Sequence, residues 1–478
     1  MRNLEHALEI TAEPAERASL LERAATSAQA AAMPSASDLA RQAVDAWKGI
    51  GERGSVARST ALLADILMDV GDVATAGALL AEEVEAIEAG VPAGEVGEPE
   101  ALLFAMRSRA LMRIDQNDAA VAEADRALRI AETRNYDLVA AMALVNKGSA
   151  FAQLGRRYES QGLLGTGIRL ANRGGWSHLE LRALRNLANS LVDDEPIRAL
   201  ETTLDAIETA RRLGDHQAFA SLVVVYADFA VPAGAGEYWD RAIDLMAEAS
   251  ELPAAAGERM GMAAARIDRR ILRGEDVTDA LEDLERLTEE DPDPHSAQLP
   301  AVLRAAVALV SGHPDEAAAI ARGVMERDIM LSGYAAQALV TGSILTADLD
   351  TLRWTETAME EVPFHGASSQ AYREHLTAAR QALDGRTSDA VAGFTRSLDT
   401  LAKLGARLTW ARGVLDALLA LPGEPRFLAL APEARAVFEG IDAAPFIALL
   451  DDAVTRVAAP ASEAPVVSSP SGTPAPAS

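Results

Sequence analysis

The chain has 478 residues, of which 44 are basic, 72 are acidic and none is cysteine, and its formal charge is −28. The absence of cysteine excludes disulfides, thiolate metal sites and cysteine nucleophiles, and it fits a reducing cytoplasm. The negative charge repels polyanions, so we expect no direct binding to nucleic acid. The first residues are charged, and no run of about 18 uncharged apolar residues follows, so we expect neither a signal peptide nor a membrane span.

A pattern of helix, small-residue turn and helix recurs along the chain, mostly every 36 to 44 residues. The predicted turns end at Gly71, Asp115, Gly155, Glu195, Gly274, Gly312, Asp348 and Gly385, with a degenerate turn near residues 232–236. A period of this size is typical of helical repeats, in which each unit contacts only its neighbours. The sequence therefore predicts an all-α, right-handed α-solenoid of about ten to eleven helix pairs over residues 1–458.

The apolar residues within a unit return every three or four positions, as on one face of a helix. Gly148 and Ala188 occupy equivalent places forty residues apart, three residues before Phe151 and Leu191. A small side chain facing a large one lets paired helices pack closely. The run at 222–226 (LVVVY) is strongly β-branched, but it lies in a helix-spaced segment, so we expect close to no sheet.

Two segments resemble the first helix of the tetratricopeptide (TPR) repeat: Asn146–Tyr158 (NKGSAFAQLGRRY) and, more weakly, Arg185–Leu191 (RNLANSL). In peptide-binding TPR domains, asparagine and basic residues at matching positions clamp the ligand's backbone or terminal carboxylate. The resemblance therefore implies a protein or peptide partner, and the candidate ligand-binding residues are Asn146, Arg182, Arg185, Asn186 and Asn189. The alternative is that the asparagines form hydrogen bonds between neighbouring helices.

Three C-terminal segments, Leu383–Leu404, Trp410–Leu421 and Pro432–Leu450, are similar to the closing repeats of multidomain bacterial regulators. These are actinobacterial class III adenylate/guanylate cyclases with an ATPase module, and LuxR-type regulators. In those families the repeats act as sensor or scaffold, and another domain carries catalysis or DNA binding. Here the phosphate loop is absent, and Leu4 and Leu8 already follow the helical spacing without a polar capping helix. We therefore expect this end to be covered by a missing upstream domain or by another protein.

The sequence offers no set of catalytic or metal-ligating residues at the required spacing. The histidines are scattered, His365 and His375 lie ten residues apart, and we expect surface or helix-end positions for them. Asp291–His295 lacks the glycine that a calcium loop needs. The run 193–195 (DDE) precedes Pro196, so we expect its carboxylates to face the free amides of that helix start. We predict no enzymatic activity, no metal and no cofactor.

The sequence thus predicts a non-catalytic TPR scaffold or sensor that mediates protein–protein interaction in cytoplasmic bacterial signalling or transcriptional regulation. The alternative is the regulatory C-terminal fragment of a class III cyclase or LuxR-type ATPase regulator. A small-molecule effector bound in the concave face is a third hypothesis. The five tryptophans are expected in packing positions. Residues 459–478, rich in proline, alanine and serine, are expected to form a disordered tail.

Overall fold

A computed structural model of the chain describes residues 7–8, 10–92, 95–234, 236–289 and 296–456. In these residues the backbone forms 24 α-helices, two 3₁₀-helices at Ser296–Gln298 and Ile329–Leu331, and no strand. The predicted all-α class is confirmed, and the β-branched run at 222–226 is helical. The segment at 291–295 and the predicted tail lie outside the described residues, so the division at residue 458 stays a prediction.

The helices follow one another with short connections. The first twelve are α1 Pro14–Ala30, α2 Ala36–Ile50, α3 Arg53–Asp69, α4 Val73–Gly90, α5 Glu98–Arg113, α6 Asn117–Arg134, α7 Asp137–Gln153, α8 Arg157–Gly174, α9 Ser177–Leu191, α10 Pro196–Leu213, α11 His216–Ala233 and α12 Gly236–Ser250. The second twelve are α13 Ala256–Leu272, α14 Thr278–Thr288, α15 Leu299–Val310, α16 Pro314–Arg327, α17 Ser332–Thr346, α18 Leu349–Ala358, α19 Ala367–Leu383, α20 Thr387–Leu404, α21 Arg407–Ala420, α22 Pro425–Leu428, α23 Ala431–Gly440 and α24 Ala444–Thr455.

The turns lie where the repeat pattern places them. Six of the eight predicted turn residues have a left-handed backbone, with φ between 60° and 89°: Gly71, Asp115, Gly155, Gly274, Gly312 and Gly385. This conformation closes the end of a helix, and glycine adopts it without a steric penalty. At the other two positions the details differ, because Ala347 rather than Asp348 is left-handed and Glu195 has φ −136°.

Successive helices pair into antiparallel hairpins, which stack side by side. The odd-numbered helices from α1 to α21 also contact one another in succession and form an inner layer, and the even-numbered helices lie outside it. Gly148 shows why small residues are needed, because a methyl group at this position of α7 would lie 2.9 Å from Leu164 Cγ of α8. Buried apolar residues form several clusters along the array rather than one central core.

The expectation that each unit contacts only its neighbours is wrong. The array winds so tightly that α11 contacts both α1 and α21, although these helices lie far from it in sequence. Arg157 Nη1 donates a hydrogen bond to the carbonyl oxygen of His365 at 2.7 Å, across 208 residues of chain. The first and second halves of the superhelix are therefore packed against each other.

The expectation for the acidic run at 193–195 is also wrong. Asp193 accepts hydrogen bonds from the backbone amides of Gly366 (2.6 Å) and Ser369 (2.7 Å), and Asp194 accepts one from Ala367 N (2.9 Å). These carboxylates therefore cap the start of α19, 173 residues away, rather than α10. Carboxylates do favour the free amides at a helix start, but the winding of the superhelix places the start of α19 beside them instead of that of α10.

The tryptophans fit their expected packing role. Trp47, Trp239 and Trp410 are buried, and Trp176 and Trp354 are half-buried. No helix in the described part of the chain combines the length and apolar composition needed to cross a membrane.

Candidate functional site

The inner layer forms a partly open cavity of about 260 Å³ between α3 and α5 on one side and α9, α11 and α13 on the other. We call it the inner cavity. Its charged lining residues are Asp69, Arg109, Arg113, His178, Arg182, Arg185 and Glu258. The chain carries a large negative charge overall, so this concentration of cations on both sides of the cavity is a local reversal of the surface potential.

A buried charge network forms one wall of the inner cavity. The guanidinium of Arg109, only 4% exposed, pairs with Asp65 and lies 2.7 Å from Asp69 Oδ1. Asp65 and Asp69 lie one turn apart on α3, so both carboxylates reach the same guanidinium. Gln29 of α1 donates hydrogen bonds to both carboxylates, at 3.1 and 2.8 Å. Arginine suits this place because its planar group donates to two acceptors at once.

His178, at the start of α9, completes the network from the opposite side. Its Nε2 lies 3.6 Å from Asp65 Oδ2 and 3.5 Å from Asp69 Oδ2, and its Nδ1 lies 3.5 Å from Asp215 Oδ2. Burial acts to lower the pKa of His178, but hydrogen bonding to Asp215 and Asp69 and the negative charges raise it to about 10. The imidazole is therefore protonated at neutral pH and links α3 to α9 as a cation.

The same interactions shift the pKa values of Asp69 and Arg109 in the charge network. Burial acts to raise the pKa of Asp69, but Arg109 and His178 lower it well below its usual range. Burial acts to lower the pKa of Arg109, but Asp65 and Asp69 raise it. Asp69, Arg109 and His178 are consequently ionised at neutral pH.

Asp65, Asp69 and His178 also form the one group in the described residues whose donor atoms could hold a metal ion, since they lie within 4.8 Å of one another. Both carboxylates already accept hydrogen bonds from Arg109 and Gln29. A metal ion would have to displace these donors and would meet the positive charge of the guanidinium. The geometry therefore favours an ion-pair network over a metal centre.

Arg182 and Arg185 of α9 present positive charge that this network does not neutralise. Arg182 is 8% exposed, and its Nε has no hydrogen-bond partner in the described structure. Arg185 Nη1 donates to Ser221 Oγ at 2.7 Å. Burial, together with the like charge of Arg109, lowers the pKa of Arg182 to about 9 and lowers that of Arg185. A guanidinium keeps its proton at neutral pH, so the lowered values mark buried positive charge without a full counterion.

A second concavity, the inner groove, lies next to the cavity on the same face and has a volume of about 560 Å³. Its floor carries the apolar side chains of Leu62, Leu102, Met106 and Met142 from α3, α5 and α7. Its rim carries polar residues of α1 and α3, including Glu22, Arg23 and Arg58. Asp65 lines the groove and Asp69 lines the cavity, so the charge network separates the two concavities. An apolar floor with methionines and a polar rim is typical of adaptable recognition surfaces.

The candidate residues from the sequence fall into two groups. Arg182 and Arg185 line the inner cavity. Asn146 is buried and donates to the carbonyl oxygen of Ala105, which is the hydrogen bond between neighbouring helices of the alternative interpretation. Asn186 makes the same kind of contact, donating to Ser149 Oγ at 2.7 Å, whereas Asn189 is exposed. Ligand binding by these five residues stays a prediction.

No family model matches the chain, and no curated protein matches its sequence. In solved structures, the chain is similar to a Rap protein in complex with competence and sporulation factor, with 13% identity and a TM-score of 0.43. The match covers 82% of this chain and 99% of the Rap chain. A match at this sequence identity and TM-score does not indicate a function. The resemblance to cyclases and LuxR-type regulators has no support from these comparisons and stays a prediction.

His375 corrects the expectation of a surface or helix-end histidine, because it lies mid-helix in α19 and is 5% exposed. Its Nε2 lies 3.0 Å from Asp416 Oδ2, and Thr341 Oγ1 donates to Asp416 Oδ1 at 2.7 Å. The hydroxyl thus bonds to the carboxylate and not to the imidazole. The Nδ1 of His375 faces Gly413, where a methyl group would lie 3.5 Å away. This cluster does not place a nucleophile against a base, so its geometry supplies no catalytic triad.

Proposed function

We propose that the chain is a non-catalytic scaffold or sensor that binds a protein or peptide partner through its inner face. The observation that carries the proposal is the inner groove, whose apolar floor lies open between polar side chains of α1 and α3. Grooves of this kind accept the apolar side chains of a peptide while the rim fixes its polar groups. The absence of cysteine and the resemblance to bacterial regulators support a role in cytoplasmic bacterial signalling.

The floor of the groove has the properties of a contact surface. Leu62, Leu102 and Met142 are half-buried, so part of each apolar side chain faces the groove. Met106 below them is 1% exposed and holds the floor in place. Covering the half-buried side chains with a partner would remove more apolar surface from water, and this is the main source of affinity in such contacts.

A quantitative pull-down with the immobilised chain tests the proposal. The double variant Leu62→Gln, Met142→Gln should recover at least fivefold less partner than the wild type. A matched variant on the outer helices α4 and α6, Leu79→Gln, Leu128→Gln, should recover the wild-type amount, because these half-buried residues lie away from the groove. Equal recovery by both double variants would contradict a partner site in the groove. Asn189→Ala, tested in parallel, shows whether the exposed asparagine contributes.

A further inference from the structure

We propose that the inner cavity is an effector site for a small dianion that presents carboxylate or phosphate oxygens, held by Arg182 and Arg185. This site is separate from the groove, and the proposal does not depend on the partner binding proposed above. The first observation is an unpaired donor on a lining residue, since Arg182 lines the cavity, is more than nine-tenths buried, and has no partner for its Nε in the described structure. A buried charged group without its hydrogen bonds is costly, and a ligand that supplies an acceptor removes this cost.

The neighbouring carboxylates do not fill this role, because they are used elsewhere. Asp65 and Asp69 accept the hydrogen bonds of Arg109 and Gln29. Glu258, across the cavity on α13, accepts a hydrogen bond from Gln217 at 3.0 Å. Arg185 donates to Ser221 Oγ, so among the arginines of α9 it is Arg182 whose missing acceptor we expect from a ligand. A guanidinium can donate two parallel hydrogen bonds to the oxygens of one carboxylate or phosphate group, and this defines the chemical class of the ligand.

The size of the cavity limits the ligand further. A volume of about 260 Å³ holds several water molecules. A compact dianion such as succinate, or inorganic phosphate, fits this space. The cavity is lined from α3 and α5 on one side and from α9, α11 and α13 on the other. A bound dianion would therefore link the two sides of one superhelical turn and stabilise the closed array.

Thermal unfolding and isothermal titration calorimetry of the full chain test this proposal with succinate, inorganic phosphate, neutral succinamide and a tetrapeptide with a free C-terminus. We expect succinate or phosphate to raise the Tm by several degrees in a saturable manner. Succinamide should have no effect, because it lacks the charges. Stabilisation by the tetrapeptide without any by the two small anions would overturn the proposal, as would no stabilisation by any probe.

The variant Arg182→Gln separates ligand binding from a structural role. It should lower the affinity for the small anion at least tenfold, and its unliganded Tm should equal or exceed that of the wild type, because an uncompensated buried charge is removed. Arg169→Gln, at an exposed position on α8, is the control and should bind as the wild type does. Wild-type affinity in Arg182→Gln would refute the site. An unliganded Tm several degrees below the wild type would show that Arg182 is already paired within the protein, which also refutes it.

Discussion

Replacing Arg109 by methionine should destabilise the protein by about 3–5 kcal/mol, the cost of removing one partner from a buried ion pair. The side chain of Arg109 is 4% exposed, and its partners Asp65 and Asp69 are 16% and 13% exposed. Methionine keeps much of the aliphatic volume, so the change isolates the loss of charge. Two carboxylates one turn apart on α3 would then repel each other, with Gln29 and His178 as their remaining partners.

Equilibrium denaturation by urea at neutral pH measures this loss as a change in the free energy of unfolding. The control is Arg173→Met, because Arg173 pairs with Asp137 at 2.9 Å with both side chains more than half exposed. That variant should lose less than about 1 kcal/mol. Adding Asp69→Asn to Arg109→Met should recover part of the stability, because it removes one of the unpaired charges. A loss below about 1 kcal/mol for Arg109→Met would refute the assignment of a buried network.

Three further predictions concern the histidine, the capping aspartate and the helix contacts. The pKa of His178 rises to about 10 on folding. The protonated imidazole therefore stabilises the folded state fully below pH 6.5, and this contribution is lost as the pH rises toward 10. Its ring is 37% exposed, so solvent screening limits the effect to roughly 1–2 kcal/mol, and a pH series should show this slope in the wild type and not in His178→Gln. Asp193→Ala should cost about 1–2 kcal/mol and speed hydrogen exchange at the start of α19; unchanged exchange there would contradict the cap. Gly148→Val should lower the free energy of unfolding by about 1–3 kcal/mol through overpacking. In Gly162→Ala the new methyl group meets no atom within 4 Å, so this control should raise it by up to about 1 kcal/mol. Equal effects of the two substitutions would argue against close packing at Gly148.

The fold could be predicted from sequence periodicity because the two signals that it uses, the spacing of apolar residues and the turn residues, are local in the sequence. Apolar residues at helical spacing identify each helix, and glycine or aspartate at Gly155 or Asp115 identifies the turn that follows. The prediction placed most of the turns between helices correctly, since neighbouring hairpins pack by the same small-to-large contacts.

The inner cavity could be predicted only in part, because its members come together through the pitch of the superhelix. Arg182 and Arg185 were found from their place beside a TPR-like segment. Arg109, Asp69 and His178 were missed, since the repeat pattern does not determine how closely α3 approaches α9. Asp65 and Asp69, four residues apart on one helix, were the available signal, but paired acidic residues on a helix are usually solvated.

The contacts between distant turns change how the array should unfold. A linear array frays from its ends, because each hairpin is held only by the next. Here Asp193 and Asp194 are bonded to the start of α19, and Arg157 is bonded to the carbonyl of His365, so hairpins far apart in sequence stabilise one another. Because α11 also contacts α1 and α21, removing the terminal hairpins should weaken the middle of the chain, and the protein should melt as one cooperative body instead of unravelling unit by unit.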